Sequence, residues 1–197
     1  MKRILISLSL FFILMGSAPK AQAKLLEIWG SGLMGYSMGR GNSYKDFYQW
    51  VSGGAVGVEA GVKVIFIGAF IDYLRYFGGA SGANLLTFNI GGDSQFDFSP
   101  NLSLVLRLAG GYYLGTLPDD ATHVEDGIPV NVVNTRGVGF RGGVGLRYTF
   151  AKFFSVGVTP EIGYHFFFGG AEDSIMTENS HGWDLNILSY FRIALGI

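Results

Sequence analysis

Eleven charged side chains are spaced so that they could meet in one enclosed space. Each lies in a run of residues in which large apolar side chains alternate with small or polar ones, and each occupies the small or polar half of its run. Six are acidic and five are basic: Glu27, Glu59, Lys63, Asp72, Asp93, Arg107, Arg141, Arg147, Glu161, Asp184 and Arg192. Charges removed from water need partners of opposite sign. The pattern therefore predicts either a charge-lined pore or a core of interlocked ion pairs.

The three histidines are the other residues that could do chemistry. His123 and His181 fall in predicted loops, whereas His165 lies four residues after Glu161 and on the same face of its strand. Catalysis by histidine requires a defined geometry with a nucleophile and an acid. A single histidine beside an acid is more commonly a structural partner. We therefore predict no catalytic residue, no cofactor and no metal site.

Long alternating strands would position these charges. Every second residue from Val138 to Phe150 is apolar or glycine, and the arm from Val156 to Phe168 repeats the pattern with apolar residues. A period of two indicates a β-strand with two different faces. At about 3.3 Å per residue and a tilt of about 40°, the first arm rises about 30 Å, close to the height of the apolar band of an outer membrane.

The same alternation predicts eight strands in all. They cover residues 26–38, 51–63, 67–77, 84–96, 102–115, 138–150, 156–168 and 183–197. A tight connection is expected at Val64–Phe66, although its residues carry little turn signal. Connections after odd-numbered strands tend to be long and those after even-numbered strands short, as in barrels with long extracellular loops and short periplasmic turns. The predicted fold is all-β: an eight-stranded antiparallel up-and-down transmembrane β-barrel.

The first 23 residues form a separate unit. Lys2 and Arg3 precede an apolar run that ends at Met15, and Ala21-Gln22-Ala23 fits the small-x-small pattern of a cleavage site. We predict a cleaved signal peptide at 1–23 and one barrel domain at 24–197. The chain has no cysteine, which excludes a disulfide framework. Its formal net charge of -1 does not indicate the basic surface that nucleic-acid binding requires.

Alternation alone would also fit a soluble barrel of the lipocalin kind, with its apolar face inside. Side-chain volume separates the two, because an eight-stranded lumen is just wide enough for its own side chains. The large apolar face would overfill it, so we expect that face to meet lipid and the charged face to line the lumen. Since little bore remains, we predict a salt-bridged, largely plugged interior, with Arg141 almost opposite Glu161. Pro160 could introduce a bulge, but we expect Glu161 and His165 to stay inside.

These features resemble the small eight-stranded bacterial outer-membrane proteins, the superfamily of the OmpA membrane domain, OmpX and OmpW. The resemblance rests on the signal peptide, the alternating strands, the tight turn at Ala151–Phe153 and the apolar last strand ending LSYFRIALGI. It covers the whole mature chain and is one of architecture. It implies a monomer in the outer membrane of a Gram-negative cell, in contact with lipid and lipopolysaccharide and inserted by the barrel-assembly machinery.

The expected function is a structural or surface-interaction role without catalysis. A narrow porin-like channel or carrier for small solutes is one alternative. A lipid A-modifying enzyme is another, since some small outer-membrane barrels have that activity; the His-x-Ser arrangement of lipid A deacylases does not occur here, because Phe166 and Phe167 follow His165. Two predicted loops are acidic, which we interpret as solvation: Asp119, Asp120, Glu125, Asp126, Glu172, Asp173 and Glu178.

Overall fold

The computed structural model describes residues 25–41, 52–78, 83–116, 122–125, 128–131, 134–168 and 180–196. These contain β1 (Leu26–Gly41), β2 (Gly53–Val64), β3 (Ile67–Tyr76), β4 (Ala83–Asp97), β5 (Leu102–Thr116), β6 (Thr122–Glu125), β7 (Ile128–Asn131), β8 (Asn134–Ala151), β9 (Phe154–Phe168) and β10 (Ser180–Gly196). The predicted signal peptide lies outside the described residues, as do most of the acidic loop residues. Within these ranges, no helix is long and apolar enough to cross a membrane.

Eight strands close into an antiparallel barrel. Going round it, β1 is followed by β2, β3, β4, β5, β8, β9 and β10, and β10 pairs with β1 along a register that runs from Glu27–Gly196 to Gly41–Gly182. Each barrel strand thus pairs with the barrel strands before and after it in the chain. Closure pairs both edges of the sheet, so no long edge is left exposed. The predicted eight-stranded up-and-down barrel is confirmed.

A small hairpin interrupts the segment between β5 and β8. β6 and β7 pair with each other in a separate two-stranded sheet, from Thr122–Asn131 to Glu125–Ile128. The long loop expected between the predicted strands at 102–115 and 138–150 therefore contains two short strands that were not predicted. The sequence does carry a signal for the hairpin, since Asp126-Gly127 stands between the two short strands and Asp-Gly is a preferred pair in two-residue hairpin turns.

Three short connections lie at the end of the barrel that also carries Leu26 and Gly196. They join β2 to β3, β4 to β5 and β8 to β9, and we call this end the turn end and the opposite one the loop end. The tight connection predicted at Val64–Phe66 is confirmed. Its first residue, Ile65, has a φ of 60°, in the left-handed region that β-branched residues rarely occupy.

The large apolar face of the wall points outward. The side chains of Phe140, Ile90 and Leu108 are 72%, 70% and 68% exposed, whereas Glu161 and His165 on the opposite face are 5% and 6% exposed. β8 and β9 keep the same register on both sides of Pro160, from Gly143–Glu161 to Leu146–Val158. The chain therefore passes Pro160 without a bulge, and the register shifts only near the turn.

The inner face is not uniformly polar. Trp29, Phe70 and Ala109 form a buried apolar cluster in the lumen. Gly61 leaves room for it, because a Cβ at this position would lie 2.4 Å from a ring carbon of Trp29. Nearer the loop end, five more large side chains are at most 6% exposed: Leu74, Tyr76, Leu85, Tyr113 and Phe167. A lumen of this width therefore accepts some of the large residues that volume alone would exclude.

Candidate functional site: the charge network of the lumen

All eleven charged residues singled out from the sequence face the lumen, and ten of them pair with an opposite charge of the same set, whereas Asp184 contacts His165. We call this set the lumen network. It is divided into a group around Asp93 near the turn end, a group around Glu59 in the middle and a group around Asp72 towards the loop end. The grouping follows from the alternation of the strands, which places every charge on the inner face at a height fixed by its position along its strand.

Asp93 on β4 joins three cations. Its carboxylate lies 2.5 Å from Nζ of Lys63, 3.0 Å from Nη2 of Arg147 and 3.4 Å from Nη1 of Arg192. Arg147 also donates from Nε to the hydroxyl of Tyr190 at 3.1 Å and from Nη1 to the side-chain oxygen of Gln95 at 3.1 Å. These bonds fix the guanidinium of Arg147 across the lumen, since each of its three nitrogens has an acceptor.

Glu59 on β2 accepts two hydrogen bonds from different strands. Nε1 of Trp29 donates to Oε1 at 2.8 Å, and Nη2 of Arg107 donates to Oε2. Arg107 also lies 3.5 Å from Oε1 of Glu161, and its guanidinium sits 4.3 Å from the centroid of the Phe70 ring. The apolar cluster thus supports the ion pairs directly, because aromatic faces attract cations.

Asp72 on β3 is 1% exposed and is fully enclosed by donors. Arg141 binds it with both terminal nitrogens, Thr87 Oγ1 donates to it at 2.7 Å and Asn89 Nδ2 donates to it at 3.3 Å. A buried carboxylate is stable only when such partners replace its water. The bidentate contact makes Asp72 the main partner of Arg141.

The predicted pairing of Arg141 with Glu161 is present as a long ion pair, but Asp72 is the closer partner of Arg141. Glu161 is paired in register with Gly143, and Arg141 with Gly163, so the two charges are diagonal neighbours. Their closest approach, between Nε and Oε2, is 3.9 Å, which is too long for a hydrogen bond. Arg141 extends across the lumen towards Asp72 because the tilt of the strands brings β3 and β8 to the same height there.

His165 is buried and paired with Asp184. Its Nε2 lies 2.5 Å from Oδ1 of Asp184, and its ring packs edge-on against Tyr113 with the centroids 4.6 Å apart. Asn186 donates to the other carboxylate oxygen of Asp184. By contrast, His181 lies on the outer side of the wall, where Nδ1 is 2.7 Å from the hydroxyl of Tyr164. The side chain of His123 lies outside the described part of the chain.

The ion pairs reach across the lumen as well as along its wall. Arg141 and Asp72 lie three strands apart in the ring, and so do Arg107 and Glu59. Arg192 on β10 and Asp93 on β4 lie four strands apart, which is the full width of an eight-stranded barrel. On the turn-end side of the group around Glu59, a void of about 20 Å³ remains between these side chains, roughly the room needed by one water molecule.

Sequence reasoning missed the neutral members of the network. Trp29, Gln95 and Tyr190 each bind one of its charged groups, and Thr87 and Asn89 complete the shell of Asp72. Their positions on the inner face followed from the alternation. Nothing in the sequence distinguishes an inward hydroxyl or amide that binds a charge from one that does not.

No protein-family model matches the chain, and no characterised protein matches it by sequence. Among solved structures, Neisserial surface protein A superposes with a TM-score of 0.53 at 11% identity, over 85% of this chain and 96% of that chain. The N-terminal β-barrel domain of Pseudomonas aeruginosa OprF gives a TM-score of 0.45 at 12% identity, over 85% and 97% of the two chains. For Ail, the attachment invasion locus protein of Yersinia pestis, the values are 0.41, 12%, 86% and 99%.

The fold is therefore that of the small eight-stranded outer-membrane β-barrels, as the sequence features indicated. At this level of identity the similarity concerns the fold alone.

Proposed function

We propose that the protein is an integral outer-membrane β-barrel with a structural or surface-interaction role, and that its own side chains close the lumen. The observation that carries this proposal is the set of ion pairs that cross the lumen at three heights, around Asp93, Glu59 and Asp72. The outer-membrane location is supported by the fold and by the outward apolar face. A charged core of this kind holds opposite walls of the barrel together without offering a path.

A solute passing through the lumen would have to separate several of these pairs. Arg192 and Asp93 bridge the full width of the barrel near the turn end. Arg107 and Arg141 cross the lumen on the loop-end side of this pair. Breaking a buried ion pair costs about 3–5 kcal/mol when one partner is left uncompensated. Steady conduction is therefore expected to be absent, which favours the structural role over a narrow channel.

Planar-bilayer recording tests the closed lumen. The purified, refolded protein should give no steady unitary conductance, and the double substitution Arg147→Ala and Arg192→Ala should leave the lumen closed, because the groups around Glu59 and Asp72 still cross it. Arg75→Ala is the matched control, because it removes an arginine from the outward face. Heat-dependent gel mobility shows that each variant is folded. Reproducible channels from the unmodified protein would contradict the proposal.

Lipopolysaccharide is the proposed partner at the outer surface. Three exposed arginines, Arg40, Arg75 and Arg136, point outward near the loop end, at the height expected for the phosphates of the outer leaflet. Arginine binds phosphate well because its planar fork offers parallel donors. Changing all three to glutamine should lower the amount of lipopolysaccharide that copurifies with the barrel, and Lys152→Gln at the turn end is the control. Equal copurification with both variants would argue against these contacts.

Monomeric assembly through the barrel-assembly machinery belongs to the same proposal. The purified barrel should have the mass of one chain by light scattering after subtraction of the detergent. Depletion of the machinery should leave the chain in the periplasm as a protease-sensitive species. A stable oligomer in mild detergent, or normal insertion after depletion, would refute the corresponding part.

We assign the pair His165–Asp184 a structural role. Both side chains are at most 7% exposed, and the ring of Tyr113 covers His165 on one side. A lipid substrate would have to enter the lumen to reach them. Mass spectrometry of lipid A from cells with and without the protein tests the enzymatic alternative, and any change in acylation or headgroup would overturn this assignment.

A further inference from the structure

A cavity of about 500 Å³ lies inside the barrel at the turn end. Its inner part is lined by five members of the lumen network: Glu27, Lys63, Asp93, Arg147 and Arg192. Its outer part is lined by Ile65, Phe66, Phe96, Phe153 and Phe154. The volume is within the range of small-molecule binding pockets, about 300–1,000 Å³. The cavity therefore combines a charged floor with an aromatic mouth.

The lining has one more cation than carboxylates: Lys63, Arg147, Lys152 and Arg192 against Glu27, Asp93 and Asp97. The carboxylate of Asp93 is shared by Lys63, Arg147 and Arg192, at 2.5, 3.0 and 3.4 Å. Arg192 is 6% exposed, and its Nε has no hydrogen-bond acceptor within the described ranges. At the rim, Lys152 lies 5.4 Å from the centroid of the Phe153 ring and has no carboxylate within 4.0 Å among the described residues. An anion in the cavity would supply an acceptor for Lys152 and a further one for Lys63, whereas each side-chain nitrogen of Arg147 already has an acceptor.

The mouth keeps an apolar side chain at a strained position. Ile65 has a φ of 60°, which glycine or asparagine would adopt readily and a β-branched residue does not. The turn itself does not require a β-branched residue, because glycine or asparagine would adopt this φ at lower cost. The side chain of Ile65 forms a wall of the cavity together with Phe66.

We propose that this cavity binds a small amphipathic anion. Its carboxylate, phosphate or sulfonate head would lie against Lys63 and Lys152, and its apolar body would lie against Ile65, Phe66 and Phe153. The site opens at the turn end and stops at Asp93. It therefore needs no open path through the barrel, and it adds a ligand-binding activity to the proposed structural role.

Benzenesulfonate is a suitable probe, and its uncharged analogue benzenesulfonamide is the matched control. Both are titrated into the isotope-labelled full barrel in dodecyl maltoside micelles, which carry no charge, and backbone amide shifts are followed by NMR. The sulfonate should cause saturable shifts at Ile65, Phe66 and Phe153, and the sulfonamide should not. Equal shifts with both compounds, or shifts that rise linearly without saturation, would overturn the proposal.

Three variants separate the site from general surface effects and from folding. Lys152→Gln should weaken benzenesulfonate binding about fivefold, as expected for loss of a charge partner near the surface. Ile65→Asn removes part of the apolar wall while relieving the backbone, so it should weaken binding in a barrel that unfolds no earlier. Phe140→Ala removes an aromatic side chain from the outward face, away from the cavity, and should leave binding unchanged. If Phe140→Ala weakens binding as much as Lys152→Gln, or if neither Lys152→Gln nor Ile65→Asn weakens it, no such site exists.

Discussion

Substituting Arg141 by methionine should destabilise the barrel by about 3 kcal/mol, because it leaves the carboxylate of Asp72 buried without its cation. Asp72 is 1% exposed, so water cannot replace the guanidinium. Two neutral donors remain, Thr87 at 2.7 Å and Asn89 at 3.3 Å, and each keeps part of the charge stabilised. The loss should therefore fall at the lower end of the usual range for a broken buried pair, about 3–5 kcal/mol.

The reverse substitution, Asp72→Leu, leaves a buried arginine with weaker contacts. Arg141 then retains Glu161 at 3.9 Å and the face of the Phe70 ring at 5.1 Å. This change should also cost about 3 kcal/mol. The double variant should be less destabilised than the sum of the two, with a coupling energy of about 2 kcal/mol. Coupling between Arg141 and Glu161 should stay below about 1 kcal/mol, because their atoms are too far apart for a hydrogen bond.

Equilibrium urea unfolding of the refolded barrel in lipid vesicles measures these free energies, with heat-dependent gel mobility as the readout of the folded state. The same variants in Glu161→Gln backgrounds give the second double-mutant cycle. Additive effects of Arg141→Met and Asp72→Leu would refute the contact. A larger coupling energy of Arg141 with Glu161 than with Asp72 would show that the main partner of Arg141 is on the neighbouring strand and not across the lumen.

Three further stability predictions use the same unfolding measurement. Ile65→Asn should stabilise the barrel by about 1 kcal/mol by relieving its left-handed backbone, and a loss of stability would show that the side chain packs more tightly than its 47% exposure suggests. Gly61→Ala should cost about 1–3 kcal/mol, since its Cβ would lie 2.4 Å from the Trp29 ring, while the matched change Gly30→Ala on the outer face meets nothing within 4 Å and should stay within about 0.5 kcal/mol; equal effects would contradict the packing argument. Trp29→Phe removes the 2.8 Å hydrogen bond to Glu59 and should cost about 1–3 kcal/mol, and a neutral result would mean that Glu59 has found another donor.

The barrel and the orientation of its wall could be predicted because they depend on local pattern. A period of two over a dozen residues determines which residues face inward, so Asp72, Arg107 and Glu161 were placed in the lumen from sequence alone. A tight connection was predicted at Val64–Phe66 although its residues carry little turn signal, and the structure has a turn at Ile65-Phe66.

The pairing of the charges could not be predicted in the same way. Neighbouring strands fix the register, and this gave the expectation that Arg141 and Glu161 would face each other. The observed partner, Asp72, lies three strands away in the ring. That contact depends on the tilt and closure of the whole barrel, and neither is encoded in any single segment. The room in the lumen for large side chains such as Phe70 and Tyr76 was underestimated for a related reason. Glycines such as Gly61 leave this space, and it can be seen only once the barrel is closed.

The cross-lumen contacts divide the barrel into two halves of opposite character. Strands β1 to β4 bring four carboxylates and one ammonium group to the lumen, those of Glu27, Glu59, Asp72, Asp93 and Lys63. Strands β5 to β10 bring all four network arginines, Arg107, Arg141, Arg147 and Arg192, and two carboxylates, those of Glu161 and Asp184. A sheet that contained only β1 to β4 would therefore present a concave face with a net negative charge. Its neutralisation requires the strands made last. The barrel is therefore expected to fold in a single step, in which the last strands both close the wall and neutralise the negative charge of the lumen. A fragment that ends after β4 should stay bound to chaperones.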